Sequence, residues 1–133
     1  MTTSVSNHLF NETTLKNAIA CALLMSSIDG EVHEKEWAVI QGFVEKYWKE
    51  DYQHFPLYKS EMEHEIEQLL VGGKSLQSRI NQRVTQLTEN LNSSQKNIVL
   101  NLVGDVMVAD GMMTLEESKL FATFMEKLGI RIC

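Results

Sequence analysis

The sequence predicts an all-α fold, a compact bundle of about six or seven helices with an internal pseudo-two-fold repeat. Three observations lead there. One proline and seven glycines in 133 residues leave long stretches free to be helical. Apolar residues recur at helical spacing through most of the chain. The pair Asp29-Gly30 returns as Asp110-Gly111, and each pair is followed, after five intervening residues, by a glutamate: Glu36 and Glu117.

Setting Asp29 over Asp110 aligns the two halves without gaps. Phe43 then falls on Phe124, and Glu45-Lys46 on Glu126-Lys127. Apolar positions agree around them: Ile19 with Leu100, Ala22 with Val103, Met25 with Val106, Ile40 with Phe121, Val44 with Met125. The matches lie at the turn and on the apolar face of the helix that follows it. The expectation is a single domain over residues 1–133, with repeat halves 15–48 and 96–129 and a helical insert at 50–92.

The elements follow in order. Thr13 or Thr14 can cap a first helix running to about Ile28, with Leu15, Ala18, Ile19, Ala22 and Met25 on one face. Gly30 suits the left-handed conformation that ends helices, and Asp29 tolerates the tight turn. A second helix, from about Glu34 to Lys49, brings Trp37, Ile40, Phe43, Val44 and Tyr47 together and turns Glu34, Gln41, Glu45 and Lys49 the other way. Pro56 fits a first helical turn, and Tyr58, Met62, Ile66 and Leu69 follow at helical spacing until Gly72-Gly73 stops the run. Leu76, Ile80, Val84 (or Arg83), Leu87 and Leu91 mark another amphipathic helix. Asn92-Ser93-Ser94 caps the next one. Thr114-Leu115-Glu116-Glu117 is a capping box opening a last helix that buries Leu120, Phe121, Phe124 and Leu128.

Residues 98–109 are apolar nearly all round, as is the run Ala18 to Met25. Helices of that kind belong in the middle of a bundle. The two are expected to form a central pair, with Ala18, Ala20, Ala22 and Gly104 permitting close approach. The first ten residues and Arg131 to Cys133 are expected to be loosely held.

Charge narrows the choice of partners. Twelve Lys plus Arg stand against eighteen Asp plus Glu, a formal charge of −6. No basic stripe reverses that field, which argues against nucleic acid and for cations or basic protein surfaces. Cys21 and Cys133 form neither a disulfide framework nor a CxxC metal site, and a reducing cytoplasm is the simplest setting. Met1 to Phe10 lacks the organisation of a signal peptide, and the run Ala18 to Met25 is too short to span a bilayer. Any membrane association is expected to come through a partner.

The Asp-Gly loops carry the most chemistry. Each reproduces the back half of a calcium-binding EF-hand loop, but the earlier ligand positions hold Met25 and Ser27 in one copy and Val106 and Val108 in the other. Calcium binding of the EF-hand kind is excluded. Two explanations remain open. Either the acids are turn and capping residues, with each Glu returning to its helix start, or the two loops converge so that Asp29, Glu36, Asp110 and Glu117, with neighbours such as Glu31, Glu34 and Glu116, form an acidic surface for a hard divalent cation such as calcium, magnesium or manganese. Asp105 borders the apolar stripe of an expected central helix, where an acid is costly unless paired; it either bonds a neighbouring helix start or joins that acidic surface. Glu61 and His64 have the E-x-x-H spacing of di-iron bundles, but the further glutamates such a site needs are missing, and a solvated charged face explains the run. Gly73-Lys74-Ser75 ends like a phosphate loop, but its first glycine is replaced by Gln68 and no strand precedes it. No Ser/His/Asp or Cys/His set is recognisable, so the expectation is a protein that is not an enzyme.

The doubled helix–D-G-x-x-x-x-x-E–helix pattern, from about Leu15 to Gly129, resembles the TerB-like family, which includes tellurite-resistance proteins and the N-terminal region of a membrane-linked J-domain co-chaperone. The resemblance implies a bundle of about seven helices with pseudo-symmetry, an acidic surface holding divalent metal, and a role in stress or tellurite resistance through protein contacts near the inner membrane of a bacterium. His33 stands where the family has a small capping residue, and Met112, Met113 and Leu115 make the second loop less acidic than the family pattern. Three functions compete on these residues: a TerB-like stress module with or without metal, a metal-free helical protein-interaction module, and a metalloenzyme using Glu61 and His64.

Overall fold

The computed structural model describes residues 10–27, 34–72, 75–89, 91–109 and 114–129. Six helices account for nearly all of them: α1 (Glu12–Ser26), α2 (Glu34–Tyr47), α3 (Phe55–Gly72), α4 (Ser75–Thr88), α5 (Ser93–Met107) and α6 (Leu115–Leu128). The described residues contain no strand. None of these helices is long and apolar enough to cross a membrane.

Local chemistry sets the helix starts. Asn92 caps α5, its side chain accepting from the Gln95 N–H while the Gln95 side chain accepts from the Asn92 N–H. Thr114 and Glu117 make the same reciprocal pair at α6, at 3.1 and 2.8 Å. The start of α1 differs from expectation. Asn11 is the cap, accepting the Thr14 N–H at 2.7 Å, and Thr14 is buried within the first turn. Asn competes better than Thr for this position because its carbonyl reaches the free amides without a β-branch. The far end of α1 stops at Ser26, where the Ser26 and Ser27 hydroxyls donate back to the carbonyls of Leu23 and Leu24. Helix α2 ends at Tyr47, two residues short of the expected Lys49.

Helix α1 is the centre of the core. Every side chain from Ala18 to Ser27 is buried, and α1 packs against α5, α4, α2 and α6. At about 1.5–3 kcal/mol for each large aliphatic side chain removed from water, Ile19, Leu23, Leu24 and Met25 make this helix the main apolar anchor of the fold. The α1–α5 interface is the most extensive between any two helices, as the paired apolar runs predict.

Helix α5 is not covered all round. Val99, Leu102, Val103, Val106 and Met107 are buried, but Asn97, Asn101, Asp105 and Val108 lie exposed along one edge. Gly104 serves α6 rather than α1: a Cβ there would stand 3.3 Å from the Phe121 ring, so its bareness lets that ring rest on the helix. Phe10 also departs from expectation. It is only 3% exposed, edge-on to Tyr47 and Phe43 at 5.3 and 6.1 Å between ring centroids, and its carbonyl accepts the Tyr52 hydroxyl.

The register of the sequence reappears in the helix bounds. Helices α5 and α6 begin and end 81 residues after α1 and α2: Glu12 to Ser93, Ser26 to Met107, Glu34 to Leu115, Tyr47 to Leu128. The caps Asn11 and Asn92 keep the same interval. Packing matches this register only in part: α1 meets α2 much as α5 meets α6, but α2 and α5 share a far larger interface than α1 and α6. Helices α3 and α4 belong to neither half. Helix α3 packs on α4, and α4 lies across α1 and α6.

Candidate functional site

The residues singled out at the two bends occupy different environments. Glu36 and Glu117 each stand at the third position of a helix, α2 and α6, and both are buried, at 1% and 2% exposure. The role of Glu117 is visible. Its carboxylate accepts the Thr114 N–H at 2.8 Å and so closes the start of α6, where negative charge also meets the positive end of the helix dipole. Asp29 and Asp110 lie outside the described residues, as do Glu31 and His33. Glu34 and Glu116 are exposed on the first turns of α2 and α6. Asp105 is exposed on the open edge of α5, not tucked against a neighbouring helix start. Among the described residues no three or more His, Cys, Asp or Glu come together in a way that could hold a metal ion.

The E-x-x-H pair faces outward. Glu61, Glu63 and His64 are all exposed on α3, and Glu61 accepts a hydrogen bond from Gln53 Nε2 at 2.8 Å. Gln53 is the residue that spacing does not reveal. Its backbone N–H donates to Glu12 Oε2 at 2.9 Å, its side-chain oxygen accepts from Lys16 Nζ at 2.7 Å, and its carbonyl accepts the Trp48 indole N–H at 2.8 Å. The Gln53 amide and Lys16 together hold the Glu12 carboxyl below its usual range. This hub ties the α2–α3 connection to the first turn of α1. It is structural, because each polar atom is consumed by its neighbours.

A second half-buried polar group joins α4 to α1 and α3. Arg83 on α4 donates to Asn17 Oδ1 on α1 at 3.0 Å and pairs with Glu65 on α3 at 3.1 Å. Nearby, the Tyr58 hydroxyl donates to the Lys16 carbonyl at 2.8 Å. Burial pushes the Cys21 thiol up to about 12 and pushes the Tyr58 hydroxyl above its usual range; the Arg83 charge offsets part of each shift. A thiol that stays protonated at neutral pH is a poor nucleophile. Cys21 therefore belongs to the core.

A roomy concavity on the described surface combines apolar walls with charge. It is a groove of about 260 Å³ between α2 and α5. Val39, Phe43, Lys46 and Tyr47 form one wall. Ile98, Asn101, Leu102 and Asp105 form the other. Phe43 and Tyr47 pack at 4.8 Å between centroids with their rings tilted by 49°, and Lys46 lies over the Tyr47 ring at 5.5 Å. Lys46 and Asp105 put opposite charges on the two walls. No group in the groove pairs a nucleophile with a base. A cleft that combines apolar walls with a few polar groups is a candidate binding surface.

No protein-family model, curated protein or solved structure matches the chain.

Proposed function

We propose that the chain is a TerB-like, non-enzymatic helical module that works by holding another protein in the groove between α2 and α5. The single observation that carries this reading is the groove itself: a half-open cleft of mixed apolar and polar lining, with an aromatic pair on one wall and an exposed acid on the other. The doubled register supports kinship with TerB-like proteins, because the bounds of two helix pairs and the caps Asn11 and Asn92 repeat at one interval. In that setting the module serves a stress-response assembly, and any approach to a membrane is made through the partner.

The test is site-specific photo-cross-linking of the full chain in extract of the cells that make it. A photoreactive residue at Asn101, in the groove, should capture one protein that the same residue at Glu63, exposed on α3, does not. That protein, once purified, should bind the intact chain directly. Equal capture from both positions, or none from either, would overturn the reading.

A second reading has the bends binding a divalent cation. What favours it is the paired position of Glu36 and Glu117, each third in its helix after an Asp-Gly pair. Calorimetric titration with calcium, magnesium, manganese and zinc decides. Heat that disappears in Asp29→Asn and Asp110→Asn protein supports the cation; heat that survives both substitutions removes these bends as its site.

A further inference from the structure

The two halves of the chain are not equally covered. On one side, α4 lies across α1 and α6. Its Ile80 and Val84 line, together with Leu120, Phe124 and Lys127, a dent of only about 10 Å³, and its Arg83 bonds Asn17 of α1. The interval of 81 residues that relates the helices maps these positions onto the other half. Leu120, Phe124 and Lys127 correspond to Val39, Phe43 and Lys46; Asn17 corresponds to Ile98. All four of these counterparts line the groove. The groove is thus the seat of α4 repeated in the other half, with the same apolar–aromatic–lysine succession, and no helix of the described residues lies across it.

Resting on the reading of the groove as a protein-docking site, we propose that its occupant is a basic amphipathic helix of the partner protein, built like α4. Two features of the surface define that helix. The apolar part of the wall calls for large aliphatic side chains at the spacing of Ile80, Val84 and Leu87, the buried face of α4. The charge comes from one of the substitutions that set the two seats apart: where α1 has the buried Leu24, α5 has the exposed Asp105, just as the buried Ala20 gives way to the exposed Asn101. Asp105 lies two helical turns along from Ile98 on the same wall, so a cation one or two turns from the apolar stripe reaches it. Helix α4 is of this type, with Arg79 and Arg83 and no acid between Ser75 and Thr88. The chain's net charge of −6 favours the same sign of partner over longer range.

The experiment uses the α4 sequence itself as the probe. A fluorescein-labelled peptide of residues 75–88 is titrated with the full chain and followed by anisotropy. Saturable binding is expected, weakened about tenfold or more by Asp105→Lys, which turns attraction into repulsion, and abolished by Asn101→Trp, which fills the groove. Both positions are exposed, so the fold tolerates the changes. Absence of saturation, or equal binding by both variants, overturns the proposal. So does binding that emerges only after residues 1–9 are deleted, which would assign the groove to the chain's own first residues. Self-association of the chain that Asp105→Lys abolishes would assign it to a second copy, and overturns the proposal likewise. If the peptide fails while cross-linking from Asn101 still captures a protein, the partner's helix is of another kind and the module reading survives; if both fail, both are wrong.

Discussion

Arg83 on α4 and Glu65 on α3 are held 3.1 Å apart, and Arg79 takes the same carboxylate at 3.0 Å. The pair is partly shielded, with side-chain exposures of 18% and 24% for Arg83 and Glu65, and it links α3 to α4. Glu65→Ala leaves two guanidinium groups without their shared acceptor and should cost about 1–2 kcal/mol. Urea denaturation reads this as a lowered midpoint at constant slope. Asn17→Ala, which removes a neutral acceptor only, should cost less; the reverse order would mean that α4 is held chiefly through α1.

The Thr114–Glu117 exchange separates capping from ligation. Thr114→Ala should lower stability by about 1 kcal/mol. Glu117→Gln keeps an acceptor for the Thr114 N–H and should cost well under half of that. Circular-dichroism melts of the two variants check the order, and a Glu117→Gln loss as large as that of Thr114→Ala would show that the negative charge, not the acceptor, is needed there.

Gly42 is an exposed glycine in the middle of α2, and a Cβ there would meet nothing within 4 Å. Gly42→Ala should therefore stabilise the protein by about 0.5–1 kcal/mol. Gly104 is the contrasting case, because its Cβ would press on the Phe121 ring at 3.3 Å. Thermal unfolding should place Gly104→Ala below Gly42→Ala, the helix-propensity gain being offset by crowding.

Cys21 makes the fold sensitive to alkali. Its thiol titrates near 9.0 when unfolded and at about 12 in the fold. The neutral form is the one the core accepts, so its contribution is complete below pH 9 and declines as pH rises toward 12. Tyr58, raised for the same reason, adds to the loss at the upper end. Stability measured by urea at about pH 8 and about pH 10.5 should fall more steeply in the wild type than in Cys21→Ala, even though the variant starts lower. In a Cys133→Ser background, Cys21 should resist a thiol reagent at about pH 8 until urea unfolds the chain; immediate labelling would contradict its burial.

Much of this fold is written in short-range chemistry. Asn92 and Thr114 announce helix starts because the groups they satisfy lie three residues away, and the all-round apolar run of α1 announces a central helix. The start of α1 is harder to read, since Asn11, Thr13 and Thr14 all offer a capping oxygen and only three-dimensional packing separates them. Phe10 and Gln53 are not legible, because the Tyr52 hydroxyl lies 42 residues from Phe10, and Lys16 and Glu12 lie 37 and 41 residues from Gln53. The groove is half legible. Asn97, Asn101, Asp105 and Val108 recur at helical spacing within an apolar run, the signature of one open edge, but apolarity over the rest of the helix conceals it. The acids at the bends show a different difficulty. Spacing marks Glu36 and Glu117 as special without distinguishing a carboxylate that closes a helix from one that awaits a cation.

The enclosure of α1 has an evolutionary corollary. A helix with neighbours on every side has no freedom to vary except at the expense of folding, so changes between Ala18 and Ser27 should be filtered by stability alone. Its counterpart keeps one edge in water, where Asn101 and Asp105 can be exchanged without disturbing the interior. If both arose from one ancestral segment, the first copy became the scaffold and the second inherited the liberty to acquire new contacts.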